Sequence, residues 1–335
     1  MTGHVVLAYA LPPRELERLR GVLPCVDVSE GNSDVSAAPD VRRALAERVR
    51  AVLPGAVGLL CTRRLQVDEE LIAAGPDLRV VSTATVGYEH IDVEACTRRG
   101  ILVGNTPGIV AEATAETAWI LLLMLLRTIP AALDHVRSGA WQRGVRLPDG
   151  HDPYGLTLGI VGLGAVGAAI ARRARNIGMP VIYSNRTPRS DENQIGASYR
   201  DFDTLLSEAD VVVLSLPLTP RTRGLFDKRV FAMMKRGAYF INVARGGIVL
   251  TEALVEALAT GRLAGAGIDV VDPEPLPADH ALLKFPNAVV FPHIGTATVE
   301  TRAAMARLAV DNVIAALTGE CLPASVNGKG VLTRI

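Results

Sequence analysis

A glycine-rich turn between an apolar run and a helical stretch constrains this chain more than any other feature. The turn reads Gly-Leu-Gly-Ala-Val-Gly from Gly162 to Gly167, after the apolar run Leu158–Val161 and before a helix-like segment at 168–177. The first glycine suits a tight turn, the second a close approach of the backbone to a pyrophosphate, and the third close helix-sheet packing. The helix N-terminus adds unpaired N–H donors. A generic glycine turn is the alternative, but the flanking elements favour a dinucleotide site that includes Gly164, Ala165 and Val166.

The position that normally distinguishes the two nicotinamide cofactors carries no charge. Asn185 follows an apolar run, where an NAD site usually has Asp or Glu for the ribose 2′-hydroxyl. Arg186 and Thr187 come next, and Arg189 is close behind. A carboxylate repels a 2′-phosphate, whereas a neutral Asn beside a guanidinium accepts one. We therefore predict that NADPH/NADP+ is preferred and that NADH is possible, with solvated loop arginines as the alternative.

Composition and charge exclude several classes of protein. The 335 residues are 49% hydrophobic, which suffices for two domains with substantial cores, and the formal net charge is zero. The chain has no excess of basic residues, which would have indicated nucleic acid or an anionic membrane as a partner. The four cysteines lack CxxC or metal-ligand spacing, so we expect reduced thiols, a cytoplasmic location and no metal site. The N-terminus also lacks the basic region of a signal peptide.

Residues 118–126 form an uninterrupted apolar stretch that could be mistaken for a membrane segment. Nine residues are too few, because a membrane helix needs about 20. A helix that is apolar on every face must be buried between domains or between subunits. We predict a helix over 110–137 with a disturbance near Pro130.

Apolar runs alternate with helical periods along most of the chain, at the spacing of βαβ units. Strands without polar alternation are typical of a parallel sheet covered on both faces. We therefore predict an α/β protein with two Rossmann-like, doubly wound parallel-sheet domains. The predicted strands are 5–9, 58–61, 80–84, 101–103, 158–161, 181–184, 211–216, 239–243, 266–270 and 288–291, and helices are expected at 203–209, 228–235 and 252–260.

Three polar residues follow strands of the second predicted sheet: Arg245, Glu274 and His293. Ligands of doubly wound sheets bind outside the carboxyl ends of strands, so these side chains can converge. Hydride delivery to a carbonyl carbon leaves negative charge on the oxygen, which a protonated His can neutralise. A carboxylate stabilises that His, and an Arg fork can hold a substrate carboxylate. Each residue alone is more often a solvated surface residue, so the prediction depends on their joint placement.

The chain resembles the D-isomer-specific 2-hydroxyacid dehydrogenases, and within them the glyoxylate/hydroxypyruvate reductase branch. The resemblance runs from about residue 57 to residue 323 and is weak in the first 50 residues. It is carried by Val86-Gly-Tyr-Glu-His-Ile-Asp92, Asn105-Thr-Pro107, Gly162-Leu-Gly-Ala-Val-Gly167, Leu216-Pro-Leu-Thr219, Asn242-Val-Ala-Arg-Gly246, Gly267-Ile-Asp-Val270, Pro273-Glu-Pro-Leu-Pro277 and Pro292-His-Ile-Gly295.

The resemblance implies roles for individual residues. Arg245 would bind the substrate carboxylate and polarise the carbonyl, His293 would be the general acid, and Glu274 its pairing carboxylate. The backbone N–H groups of Val86 and Gly87 would hold the same carboxylate. The implied cofactor contacts are the glycine turn, Leu216, Pro217, Val243, Asp269, which would contact the nicotinamide carboxamide, and Gly295.

Domain organisation also follows from the resemblance. Residues 1–104 and 296–335 would form a discontinuous substrate-binding domain, to which a helix at 296–317 returns, and 105–295 an NADP(H)-binding Rossmann domain. Members of the family are homodimers. Trp141 would enter the partner subunit's active site or, as the alternative, pack at the interface.

The implied reaction is NAD(P)H-dependent reduction of small 2-oxo acids, such as glyoxylate and hydroxypyruvate, to D-2-hydroxy acids. Phosphite dehydrogenase is disfavoured because Thr85 stands where that enzyme has Lys, and 3-phosphoglycerate dehydrogenase because the sequence ends at Ile335 without a regulatory domain. A nucleotide-sensing corepressor is the alternative from another class. Leu250 replaces a usual acidic residue, and the preferred 2-oxo acid stays open.

Overall fold

The computed structural model describes residues 2–30 and 38–328 and contains two sheets whose neighbouring strands are parallel. This arrangement confirms the predicted α/β class with two parallel sheets. By internal contacts the chain divides into two compact units, Met1–Val110 with Ala297–Ile335, and Ala111–Thr296.

The first sheet has five strands in the order β2-β1-β3-β4-β5: β1 (His4–Leu7), β2 (Cys25–Asp27), β3 (Ala56–Cys61), β4 (Val80–Thr83) and β5 (Leu102–Gly104). β2 is not among the strands predicted from the sequence, because this three-residue edge strand is half-buried and has no apolar run. The helices of this part of the chain are α1 (Pro13–Arg20), α2 (Pro39–Val52), α3 (Glu69–Ala74) and α4 (Val93–Arg98).

The apolar stretch lies in α5 (Ala111–Leu126), which is followed by α6 (Ile129–Arg137) at a bend of 63°. The break falls at Thr128, which has a positive φ of 49°, and Pro130 lies in the first turn of α6, where its missing N–H costs little. The predicted disturbance near Pro130 is therefore confirmed. No single helix among the described residues is long and apolar enough to cross a membrane, although this bent pair reaches the required length and composition together. Most of α5 is buried in its own unit, mainly against β10, β11 and α7 as defined next.

The second sheet has seven strands in the order β12-β11-β10-β9-β6-β7-β8. They are β6 (Leu158–Val161), β7 (Val181–Ser184), β8 (Ser198–Tyr199), β9 (Val211–Leu214), β10 (Ala238–Asn242), β11 (Leu263–Ile268) and β12 (Ala288–Val290). The helices are α7 (Ala165–Asn176), α8 (Glu192–Ile195), α9 (Phe202–Glu208), α10 (Lys228–Met233) and α11 (Thr251–Ala259), with 3-10 turns at Gly246–Ile248 and Ala281–Lys284.

The last helix, α12 (Val299–Thr318), packs on the first sheet rather than the second. Its buried side chains Ala306, Ala309, Val310 and Val313 share one apolar cluster with residues of β1, β3 and β4. Thr298 caps the helix by accepting a hydrogen bond from the N–H of Thr301 at 3.1 Å.

Several strands end earlier than predicted, and the differences lie where the loops of the candidate site begin. The predicted 211–216, 239–243 and 266–270 end at Leu214, Asn242 and Ile268. At Asn242 the cause is local, because its side-chain oxygen accepts from the N–H of Ala244 at 3.0 Å and turns the chain. The predicted strands were too long because apolar residues continue beyond these turns, and the apolar pattern alone does not mark where a strand ends.

Candidate active site

Gly162 and Gly167 make a turn in which larger residues would not fit. Gly162 has φ +98°, and a Cβ there would lie 2.8 Å from the Ser215 carbonyl oxygen. A Cβ on Gly167 would lie 2.5 Å from the carbonyl oxygen of Gly162. The hydroxyl of Ser215 donates to that same oxygen at 2.6 Å. The structure therefore confirms the tight turn and the close helix-sheet packing, and it adds Ser215, for which no role was predicted from the sequence.

Gly164 differs from its neighbours because the space beside it is open. A Cβ there would meet nothing within 4 Å, and the residue is exposed at the N-terminus of α7. The N–H groups of Ala165 and Val166 have no acceptor within the described part of the chain. Open backbone, unpartnered donors and the positive end of a helix dipole fit the pyrophosphate of a dinucleotide.

The segment after β7 has one engaged arginine and one exposed arginine. Asn185 accepts a hydrogen bond from the N–H of Leu163 at 2.7 Å, which ties this segment to the glycine turn. Arg189 binds both carboxylate oxygens of Asp191, at 2.7 and 2.6 Å. Arg186 is exposed, and among the described residues none forms a salt bridge with it. Arg186 is thus available to an anion, whereas Arg189 is neutralised by its neighbour. Thr187 is also exposed.

His293 and Glu274 form a hydrogen-bonded pair. The Nδ1 atom of His293 lies 2.8 Å from Oε1 of Glu274, and the two side chains are 16% and 22% exposed. His293 adopts a positive φ of 57°, an uncommon backbone conformation for a non-glycine residue. Its N–H donates to the carbonyl oxygen of Asp269 at 2.9 Å, which fixes the start of this loop. The pair matches a proton donor whose tautomer is set by a carboxylate.

Asp269 holds the loop that carries His293. Its carboxylate accepts from the N–H groups of Ile294 at 2.7 Å and Gly295 at 3.0 Å, and the residue is only 2% exposed. Burial raises the pKa of Asp269, while the two N–H donors act in the opposite direction. A Cβ on Gly295 would lie 2.9 Å from the Asp269 carboxylate, so glycine allows this close contact.

Arg245 lies in a turn that Asn242 organises. The side-chain amide of Asn242 donates to the Arg245 carbonyl oxygen at 3.1 Å, and Arg245 Nη1 donates to the Ala244 carbonyl oxygen at 2.8 Å. A Cβ on Gly246 would lie 1.9 Å from the Val271 carbonyl oxygen, so only glycine fits after Arg245. Asn242 lies in one of the sequence motifs without a predicted role, although an Asn two residues before a turn N–H is a recognisable signal.

Val86 and Gly87 occupy a loop after β4, in the other compact unit. Neither backbone N–H has an acceptor among the residues that the structure describes. Two adjacent backbone N–H groups without a protein acceptor are able to bind an anion such as a carboxylate.

The other predicted contact residues differ in burial and in their position relative to the second sheet. Leu216 and Pro217 follow β9, and buried Val243 follows β10, so all three lie at the carboxyl end of the second sheet. Trp141 lies beyond α6 and is 71% exposed. Among the described residues, no three His, Cys, Asp or Glu side chains form a group that could hold a metal ion.

Comparison with known proteins gives consistent matches. The family model of the D-isomer specific 2-hydroxyacid dehydrogenase NAD binding domain matches residues 119–295. A glyoxylate reductase/hydroxypyruvate reductase from Mus musculus is 44% identical over 306 residues, which cover 90% of each chain. A glyoxylate reductase from Thermococcus kodakarensis is 43% identical and covers 88% of each chain.

A solved structure extends the likeness to the whole chain. The NADPH-dependent glyoxylate/hydroxypyruvate reductase from Sinorhizobium meliloti, in complex with NADP and malonate, aligns with a TM-score of 0.84 and 32% identity. The alignment covers 100% of this chain and 99% of that one.

Proposed function

The chain belongs to the D-isomer-specific 2-hydroxyacid dehydrogenases, and on that basis we propose that it reduces small 2-oxo acids, such as glyoxylate and hydroxypyruvate, to D-2-hydroxy acids. The observation that carries the proposal is the 2.8 Å pair of His293 and Glu274, in the same unit as the dinucleotide-type glycine turn. Carbonyl reduction needs a hydride and a proton, and the His293–Glu274 pair is suited to donate the proton.

The reaction requires a proton on the carbonyl oxygen and a fixed substrate carboxylate. His293 donates the proton to the oxygen, and Glu274 fixes the orientation of the imidazole through its hydrogen bond to Nδ1. Arg245 binds the carboxylate with its planar fork and polarises the adjacent carbonyl. The N–H groups of Val86 and Gly87 are the further donors that we assign to a substrate carboxylate.

A nicotinamide cofactor, once bound, would supply the hydride to the carbonyl carbon. The open turn at Gly164 and the first N–H groups of α7 would hold its pyrophosphate. The remaining contacts that we assign to the cofactor are Gly162, Gly167, Asn185, Thr187, Leu216, Pro217, Val243, Asp269 and Gly295.

The cofactor we propose is NADPH, with NADH as a poorer substitute. Exposed Arg186 is the residue that binds the 2′-phosphate, and no carboxylate stands at position 185 to repel it. The NADP bound to the Sinorhizobium meliloti relative supports this preference.

We also propose that the protein is a cytoplasmic homodimer. The free thiols of its four cysteines fit a reducing compartment, and α6 has no buried residue within its own unit. In the dimer Trp141 shapes the substrate pocket of the partner subunit, or else packs at the interface.

Steady-state rates with glyoxylate, hydroxypyruvate and bulkier 2-oxo acids, each with NADPH and NADH, test the proposal. We expect reduction of the two small acids with a higher kcat/KM for NADPH. Chiral analysis of the product should give the D-isomer from hydroxypyruvate. A protein that binds NADPH but reduces none of these acids would instead support a nucleotide-sensing role.

A further inference from the structure

The segment after β5 fixes the two peptide groups that carry the N–H donors of the Val86–Gly87 loop. The Asn105 side-chain amide donates to the Val86 carbonyl oxygen at 2.8 Å. The Thr106 N–H donates to the Thr85 carbonyl oxygen at 3.0 Å. These two carbonyls belong to the same peptide groups as the Gly87 and Val86 N–H donors, respectively.

The direction of both donors follows from peptide geometry. In a trans peptide the C=O and N–H bonds point in opposite directions, and the described cis peptides lie elsewhere, at Asp272-Pro273 and Glu274-Pro275. Since both carbonyls are held by residues 105 and 106, both N–H groups are directed away from that segment. They point together toward the side where they have no protein acceptor.

A chain of hydroxyl groups holds the next peptide of the loop. Thr85 Oγ1 donates to the Gly87 carbonyl oxygen at 2.7 Å, which uses its only hydrogen. Thr83 Oγ1, 2.7 Å away, must then donate to Thr85, and His90 Nε2 must donate to Thr83 at 3.1 Å. The loop is therefore fixed by side chains on both of its flanks.

Asn312 extends the support into α12. This residue is fully buried, and its amide donates to the Asn105 carbonyl oxygen and accepts from the Ala324 N–H, each at 3.0 Å. Gly104 makes room for it, because a Cβ there would lie 2.7 Å from Asn312 Nδ2. A buried amide with both ends bonded to backbone specifies one arrangement of the segments it joins.

We infer that Asn105 is a positioning residue that aims the Gly87 N–H at the substrate carboxylate, and that Asn312 acts through it. The inference rests on the proposed function, because it takes the carboxylate of a 2-oxo acid as the ligand of these donors. Neither asparagine touches the substrate. The two asparagines affect how strongly the enzyme prefers a carbonyl substrate that carries a carboxylate over a carbonyl substrate that lacks one.

The test compares glyoxylate with glyoxal, which offers a similar aldehyde and no carboxylate. For Asn105→Ala we expect kcat/KM for glyoxylate to fall roughly 10- to 100-fold, mainly through KM, because a small misplacement of a binding group is costly. The value for glyoxal should change by no more than about twofold. The Kd of NADPH, measured by fluorescence titration, should stay near that of the parent enzyme.

Asn327→Ala is the matched control. The Asn327 amide also bonds to backbone next to β5, accepting from Val103 N–H at 2.8 Å and donating to the Ile101 carbonyl oxygen at 3.0 Å, but it does not reach the Val86–Gly87 loop. The Asn327→Ala variant should have a lower melting temperature and an unchanged ratio of kcat/KM for glyoxylate to kcat/KM for glyoxal. Asn312→Ala should lower the ratio in the same direction as Asn105→Ala, by a smaller factor.

The possible outcomes separate the two proposals. Equal losses with glyoxylate and glyoxal in Asn105→Ala, or an equal change of the ratio in Asn327→Ala, would overturn the positioning role alone. A parent enzyme that does not reduce 2-oxo acids would overturn the proposed function and the inference with it. If Asn105→Ala does not fold, Asn105→Ser is measured instead, because its hydroxyl cannot reach as far and the same shift of the ratio is expected.

Discussion

At the scale of single residues, the proposed mechanism assigns the proton transfer to His293 and the carboxylate beside it. His293→Ala should lower kcat for glyoxylate reduction by roughly 10²- to 10⁴-fold, the usual effect of losing a positioned general acid. The Kd of NADPH should stay near its parental value. Near-parental rates in this variant would show that another group donates the proton.

Glu274→Gln should lower kcat for glyoxylate reduction less than His293→Ala does. The neutral amide can still accept a hydrogen bond from Nδ1 of His293, which lies 2.8 Å from Glu274 Oε1, but this bond is weaker than one to a carboxylate and orients the ring less firmly. Steady-state rates with glyoxylate measure the loss, and an unchanged Kd of NADPH is the control. A kcat equal to that of the parent enzyme would contradict the role of Glu274.

Arg186→Ala tests the cofactor preference. We expect kcat/KM for NADPH to fall roughly 10- to 100-fold, as for the loss of one charge-assisted contact, while NADH is almost unaffected. Arg189→Ala is the comparison, because that side chain is paired with Asp191. Equal losses of kcat/KM with both cofactors in Arg186→Ala would contradict the assignment of Arg186 as the residue that binds the 2′-phosphate.

At the scale of elements, how far the sequence could predict the structure depended on how local each interaction is. The strand-turn-helix at Gly162 and the proximity of Glu274 and His293 could be anticipated, because strand ends in a parallel sheet lie at one edge. The positive φ of His293 and the bond from Leu163 N–H to Asn185 could not. Likewise, the link from Asn105 to Asn312 spans 207 residues, and no local pattern signals it.

The turn between β6 and α7 gives a prediction in which two glycines behave differently. Gly164→Val should fold with little change in melting temperature, because the space beside it is open, but the side chain should raise the Kd of NADPH by roughly tenfold or more. Gly162→Val should instead lower the melting temperature, since its Cβ would press on the Ser215 carbonyl oxygen and its φ is +98°. Thermal unfolding and fluorescence titration distinguish the two effects. Unchanged NADPH binding in Gly164→Val would contradict the assigned pyrophosphate site.

At the scale of the whole molecule, α6 presents an exposed apolar face that fits the proposed homodimer. Its residues Ile129, Leu133 and Val136 have the i, i+4, i+7 spacing of one helix face, and all three are exposed. An exposed apolar stripe of this kind usually marks an interface. We therefore expect a dimer by light scattering at micromolar concentration.

Leu133→Asp should shift the dimer toward the monomer, because it places a charge in the apolar stripe. Val299→Asp is the control, since Val299 is also exposed but belongs to a different helix, at the start of α12. A parent protein that is monomeric under these conditions would contradict both the homodimer and the role of Trp141 in a partner's pocket.

Because α12 packs on the first sheet, the order in which the two units can fold differs from the order in which their strands are synthesised. Residues Val5, Leu60 and Val80 leave the ribosome early, yet the apolar cluster that buries them is completed only by Ala306, Val310 and their neighbours. The second unit, Ala111–Thr296, is continuous in sequence and has all of its strands before α12 is synthesised. During translation the second unit can therefore fold before α12 completes the apolar cluster of the first unit.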